Sequence, residues 1–275
     1  MNDEEQGIAR YREFLAVRDG EADLLRHRLS KREAFFDDLG RSPVQSSALL
    51  DRATYFRGLS RRRPEPGLDP RMLWVVATAK ANQAERFGVG LAELLGRYSG
   101  EDVDPARVHV ALQENYHTRI LAQVVAMFGL PVPSRPPRPL MRLMIHFMIS
   151  APERWTLPLV GASEMVGCVL FRNLRDKGVE LFADEPEVAG RIRLLYNEIL
   201  ADEIGHVGFI AARLGAHRRS AMRRLYAHAA PAMVAQCTEM VALFGRYELA
   251  RRFTAFHLAD AAAELPSIAF AAALI

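Results

Sequence analysis

Tyr196–Ile210 reads YNEILADEIGHVGFI and holds Glu203-x-x-His206, a carboxylate and an imidazole one helical turn apart. Side chains at i and i+3 share one face of a helix. Leu195, Ile199, Val207 and Ile210 make the surroundings of the pair apolar. An ionised carboxylate in such surroundings is costly unless a partner compensates it, and a metal ion is one such partner. The same pattern recurs as Glu114-x-x-His117. With 20 glutamates and 8 histidines in 275 residues, chance supplies roughly 0.6 matches, so the two copies acquire meaning only from where the fold puts them.

Apolar residues recur at three and four rather than at two along most of the chain, which predicts an all-α protein with almost no strand. A charged helix is expected over 3–38, with Ile8, Tyr11, Leu15, Leu25 and Leu29 as its stripe, then a shorter helix over 45–59. RRRPEPGLDP at 61–70 reads as a loop, and its arginines as a solvated turn. Four long helical segments follow, over 70–96, 105–129, 140–177 with a break at Ser150-Ala151-Pro152, and 185–215. PVPSRPPRP at 131–139 reads as an extended connection between the second and third. Two more helices, over 218–247 and 249–263, complete a single domain made of N-terminal helices (1–70), a four-helix bundle (71–215) and C-terminal helices (216–275).

The spacing within those segments gives the doubled motif its meaning. Glu85 lies 15 residues before Gly100 and Glu114 lies 14 after it. In a helical hairpin turning near Gly100 both stand at one depth, about 21 Å from the turn at about 1.5 Å per residue. Glu164 and Glu203 lie 19 and 20 residues from residue 183, near the middle of the next connection, and match in the same way. Each hairpin thus offers a lone glutamate on its first helix and Glu-x-x-His on its second. Four carboxylates and two histidines at one level of a bundle are the ligand pattern of a dinuclear metal site. Their charge balances two divalent cations, and one imidazole per metal leaves positions open. Glu198 falls about 140° round the helix from Glu203, which reads as a surface pair rather than a ligand. His109 and His146 lack a ligand-spaced partner and read as satisfied core or surface histidines.

Over about residues 72–215 the chain resembles the ferritin-like di-iron carboxylate proteins, which include acyl-carrier-protein desaturases, soluble bacterial monooxygenases and p-aminobenzoate N-oxygenase. The resemblance is carried by Glu85 in QAERFG, Glu114 and His117 in QENYHTR, Glu164 in GASEMVG, and Glu203 and His206 in ADEIGHVG. It implies a ferritin-like four-helix bundle with those six residues as metal ligands, joined by a long crossover that the proline-rich stretch suits. It also implies that Asp202, directly before the last glutamate, holds the histidine of the other motif. Cys168 stands where some monooxygenases carry an oxygen-pocket threonine. Ile199 stands where the N-oxygenase carries an extra histidine, so that ligand is missing. Ala81, Gly88, Gly161, Gly167, Gly205 and Gly208 all lie within six residues of a ligand. They read either as close helix packing or as room for a substrate, and Gly161, Ile199 and Cys168 are the candidate pocket residues.

The implied function is a non-haem dimetal oxygenase, with two iron ions and dioxygen as co-substrate; manganese or a mixed pair accepts the same ligands. It would hydroxylate, desaturate or N-oxygenate an organic substrate, free or tethered to a carrier protein. Electrons would come from an external ferredoxin or reductase, because no nucleotide or iron–sulfur motif is present. Two other readings stay open: a tRNA-modifying hydroxylase on the same scaffold, and a non-enzymatic iron-storage or ligand-binding bundle. The net charge of +3 and pI near 9.0 permit an acidic partner without demanding one, and nucleic acid is not the favoured partner. A homodimer is compatible with the pattern. Met1–Arg10 is polar, with no secretory signal, and the longest apolar run, Leu143–Ala151, is too short to span a bilayer. Two cysteines make neither a disulfide framework nor a zinc cluster. A cytoplasmic location is expected.

Overall fold

The computed structural model describes residues 3–23, 26, 28–98, 105–134, 143, 147 and 151–265. Leu25, the turn at Gly100, residues 135–139 of the proline-rich stretch, and residues 140–142, His146 and Ser150 of the third expected segment lie outside the described residues, as do the surroundings of Gly88 and the side chains of Glu93 and Glu153. The described chain is all-α apart from one minimal hairpin.

The N-terminal region departs from the expected single helix. α1 (Asp3–Asp19) stops at Gly20, whose φ of 71° belongs to the left-handed region and ends the helix. The strands Ala22–Asp23 and Arg28–Leu29 then pair antiparallel, and α2 (Ser30–Arg41) follows. Two-residue strands are too short to show an alternating pattern, so periodicity gives no warning of them. The next helix, α3 (Arg52–Ser60), starts later than expected, where Asp51 accepts a bond from the Thr54 N–H at 2.7 Å and caps it.

The four long helices are α4 (Pro70–Tyr98), α5 (Pro105–Ala126), α6 (Glu153–Leu181) and α7 (Pro186–Arg213). Three of them open on proline, whose missing N–H costs nothing in a first turn. Asp69 accepts the backbone N–H groups of Arg71 and Met72 at 2.9 and 3.0 Å and caps α4. α4 packs most extensively on α5, and α6 on α7, with α4–α6 and α5–α7 contacts joining the pairs. Buried side chains fix the register. Trp74 Nε1 donates to the Leu174 carbonyl at 2.8 Å, and Thr78 and Tyr196 share a hydroxyl bond at 2.8 Å. A Cβ at Gly178 would lie 2.4 Å from the Trp74 ring, so the indole occupies the groove that this glycine leaves.

The C-terminal region is also more broken than expected. α8 (Ala216–Gln236) ends before Cys237, and α9 (Thr238–Phe244) and α10 (Arg246–Thr254) are separated by Gly245 at φ 79°. α11 (Leu258–Ala263) follows. α1 lies on α7 and α8 on α6, and one apolar cluster runs from Tyr11 to Ala262. By length and composition, Arg154–Leu181 is apolar enough to cross a membrane, yet 56% of its most apolar window is buried within the fold. Met165, Val166, Val169, Phe171 and Leu174 of that helix belong to the core.

Candidate metal centre

Each of the four long helices delivers acid to one place. The carboxylates of Glu85 (α4), Glu114 (α5) and Glu203 (α7) and the ring of His117 (α5) place ligand atoms within 4.8 Å of one another. Glu114, Glu164 (α6) and His206 (α7) do the same, so Glu114 belongs to both sets. The i, i+3 spacing puts each glutamate and histidine of a motif on one helix face, so that Glu203 joins His117 while His206 joins Glu114 and Glu164, and the 5.9 Å between the two ring centroids puts the sets side by side.

The two imidazoles are oriented alike. His117 Nδ1 faces Glu85 at 3.3 Å, Glu203 at 3.4 Å and Glu114 at 3.7 Å. His206 Nδ1 faces Glu164 at 3.2 Å and Glu114 at 3.3 Å. Each Nε2 points away to a fixed partner: Asp202 Oδ2 at 3.1 Å for His117, and Gln113 Oε1 at 2.8 Å for His206. An imidazole whose Nε2–H is committed outward presents its Nδ1 lone pair inward, as a metal ligand requires.

Behind this layer stands a buried ionic network from the N-terminal helices. Arg32 of α2, 2% exposed, donates to Asp19 at 2.7 Å, to Glu198 at 2.6 Å and to Asp202. Arg18 of α1 donates to Asp202 Oδ1 at 2.6 Å and also meets Glu198. His109 and Gln113 both contact Asp19 Oδ2, at 2.9 and 2.6 Å. Glu198 is therefore an ion-pair partner outside the cluster, and His109 is a satisfied core histidine.

The electrostatics of the cluster follow from burying acids and imidazoles together. Burial pushes the Glu85 carboxyl up to about 7, and Glu114 adds to the rise. Burial also raises Glu203 well above its ordinary range, with the charge of Glu164 reinforcing it. Burial alone would raise Glu114 too, but His117 and His206 override it and hold that carboxyl low. Burial opposes charge on the imidazoles, yet the surrounding acids prevail: Glu114 and Asp202 lift His117 well above its usual value, and Glu114 and Glu164 lift His206 to about 10. Asp202 is held low because Arg18 and Arg32 outweigh its burial. Burial and mutual repulsion among the acids thus favour protons on Glu85, Glu203 and the two imidazoles, which divalent cations would replace.

Tyr11 carries an orphaned polar atom in the same region. It is fully buried, its ring stacks on Phe209 at 4.7 Å, and its Cε2 lies 3.4 Å from where a Cβ of Gly205 would be, between Glu203 and His206 in sequence. Its hydroxyl has no hydrogen-bond partner. A buried hydroxyl without a partner is uncommon in a folded protein. The donor set and this orphan both fit a site that takes metal.

The six ligand candidates from the sequence are thus brought together, with Asp202 behind His117. The pocket candidates fare differently. Cys168 is fully buried one turn beyond Glu164; burial raises its thiol well above the ordinary range, and Glu203 and Glu164 add to the rise. Ile199 is fully buried one turn before Glu203. Gly161 lines no open space: a Cβ there would meet Met222 Sδ at 2.4 Å and Ile210 at 3.0 Å, because α8 packs directly on it. At Gly167 the Cβ would sit 2.4 Å from Glu203 Oε2, and at Gly205 it would sit 2.9 Å from Phe14. These three glycines admit a helix, a ligand carboxylate and α1, in place of the substrate room considered from the sequence.

The sequence reading passed over Gln113, Asp19, Arg32 and Tyr11. Gln113 had a signal, since it precedes Glu114 as Asp202 precedes Glu203. Asp19 and Arg32 had none, since only the unforeseen hairpin brings them to the centre. Comparison with protein-family models, curated proteins and solved structures gave no match for this chain.

Proposed function

We propose that this chain is a ferritin-like dimetal protein that uses two iron ions, or manganese in their place, to act with dioxygen on an organic substrate. The observation that carries the proposal is the pair of ligand sets sharing Glu114, each with one imidazole aimed inward. Glu85, Glu114, His117 and Glu203 would hold one ion, and Glu114, Glu164 and His206 the other. Metal ions held this way supply Lewis acidity and redox chemistry with dioxygen.

The chain's own contribution is orientation, charge and access. Asp202 and Gln113 fix the two imidazoles, and four carboxylates balance two divalent cations. The side chains of His117, His206 and Glu203 are at most 4% exposed, whereas those of Glu85, Glu114 and Glu164 keep 14–16%. Small molecules therefore approach from the side of those three glutamates, and water is kept from the histidine side by α1. Electrons would come from a separate ferredoxin or reductase, and a carrier-bound substrate suits the mildly basic chain.

One observation favours a second reading, metal storage without an organic substrate: Gly161, Gly167 and Gly205 are filled by side chains rather than left as a cavity. Oxygen uptake by protein loaded with Fe(II) under anaerobic conditions separates the two. Repeated consumption of oxygen with a reductant and a panel of organic substrates supports the enzyme. A single stoichiometric oxidation followed by growth of an iron mineral, with no substrate consumed, replaces it with storage.

A further inference from the structure

The two histidines are held by unlike partners. His117 donates its Nε2–H to a carboxylate, Asp202 Oδ2 at 3.1 Å. His206 donates to an amide, Gln113 Oε1 at 2.8 Å. The amide orientation is dictated by its other end. Gln113 Nε2 lies 2.6 Å from Asp19 Oδ2 and 3.2 Å from Asp202 Oδ1, and only the NH2 group can donate to two carboxylates. Its carbonyl oxygen is thus left for His206. Asp19, at the C-terminal end of α1, is itself fixed by Arg32 and His109. Asp202 divides its two oxygens, with Arg18, Arg32 and Gln113 on Oδ1 and His117 alone on Oδ2.

We propose that the two metal positions are unequal, and that Gln113, held by Asp19 of the N-terminal helix, makes the Glu164–His206 position the weaker and later-filled one. The proposal rests on the dimetal reading above. A charge-assisted bond to a carboxylate is roughly twice as strong as a neutral one and makes the imidazole a more basic ligand. His117 has that bond and His206 does not. The count of ligands points the same way: four residues converge on the His117 position and three on the His206 position, with Glu114 shared. Gln113 is a positioning residue, acting on the metal through His206. An inequality of this kind lets one chain carry two different metals in order, the tighter-binding one at His117.

The test is to crystallise metal-free protein with one equivalent of Co(II) and locate the ion by anomalous diffraction, alongside a titration in solution. The expected result is an ion among Glu85, His117 and Glu203, and two binding steps at least about tenfold apart. Equal occupancy, or an ion first at Glu164 and His206, overturns the proposal. In Gln113→Leu the second step weakens by about tenfold and the first, reached only through Asp202, by clearly less; equal weakening of both steps also overturns it. Melting of the metal-free variant checks its folding, and should it fail to fold, the wild-type experiment still decides. Wild-type protein that takes up no Co(II) at all refutes the dimetal reading itself, a result distinct from equal occupancy.

Discussion

Replacing Gly167 with alanine puts a methyl carbon 2.4 Å from Glu203 Oε2 and 3.1 Å from its carboxyl carbon. An ordinary C···O contact is about 3.3 Å or longer, so the carboxylate must move by about 0.9 Å. Gly167 lies inside α6, where alanine improves helix propensity by about 0.8–1 kcal/mol. The two effects have opposite signs and separate readouts. Metal-free Gly167→Ala should melt at or above the wild-type temperature, because a carboxylate without metal can turn aside. Metal binding should weaken by at least about tenfold, about 1.4 kcal/mol, since a metal site tolerates only about 0.5 Å of ligand displacement. Calorimetry with and without Mn(II) at about 100 times the wild-type Kd measures both, because metal then stabilises the wild type by about 2.7 kcal/mol. The expected variant keeps its metal-free stability and gains about 1.4 kcal/mol less from metal. A variant that melts higher and keeps the full gain would refute Glu203 as a ligand placed by Gly167.

Other perturbations test the surrounding chemistry. Without metal, burial raises the Glu85 carboxyl to about 7 and the Glu203 carboxyl well above its ordinary range, while the surrounding acids, against burial, lift His206 to about 10 and His117 well above its usual value. Uptake of two divalent ions should therefore release protons, and more of them at pH 6 than at pH 8 because Glu85 titrates between the two, with affinity rising as pH rises. An indicator dye in weak buffer measures this, and release that is no greater at pH 6 than at pH 8 contradicts it. Tyr11→Phe removes a buried hydroxyl without a partner, so metal-free protein should be stabilised by about 1 kcal/mol in urea denaturation, and a loss of about 2 kcal/mol would show that the hydroxyl is satisfied. Arg32→Leu leaves Asp19 and Asp202 buried with their charge less compensated and should cost about 3–5 kcal/mol in the same assay. A cost below about 1 kcal/mol would remove the N-terminal network from the support of the centre.

The long helices were legible because their signals are local and repeated: proline at the first position, apolar residues at three and four, and lengths that place Glu85 opposite Glu114 and Glu164 opposite Glu203. That the six candidates meet follows from helix geometry, since the depth of a residue in a hairpin is fixed by its distance from the turn. The remainder depends on contacts between distant segments. Gly20 alone marked the end of α1, and a hairpin of two-residue strands leaves no pattern to read. Asp19 and Arg32 look like ordinary helix charges until that hairpin folds them against Asp202. The glycines near the ligands were ambiguous for a different reason: a missing side chain permits both a cavity and a close approach. Only the neighbours Met222, Glu203 and Phe14 choose close approach at Gly161, Gly167 and Gly205.

The central claim is that Glu85, Glu114, His117, Glu164, Glu203 and His206 together bind two metal ions. Metal content after anaerobic Fe(II) loading and removal of excess ion tests it most directly, in wild-type protein and in Glu114→Ala, which removes the residue common to both sets. The expected result is about two ions per chain in the wild type and well under one in the variant. Wild-type protein holding far less than one ion, or a variant with unchanged content, would contradict the account.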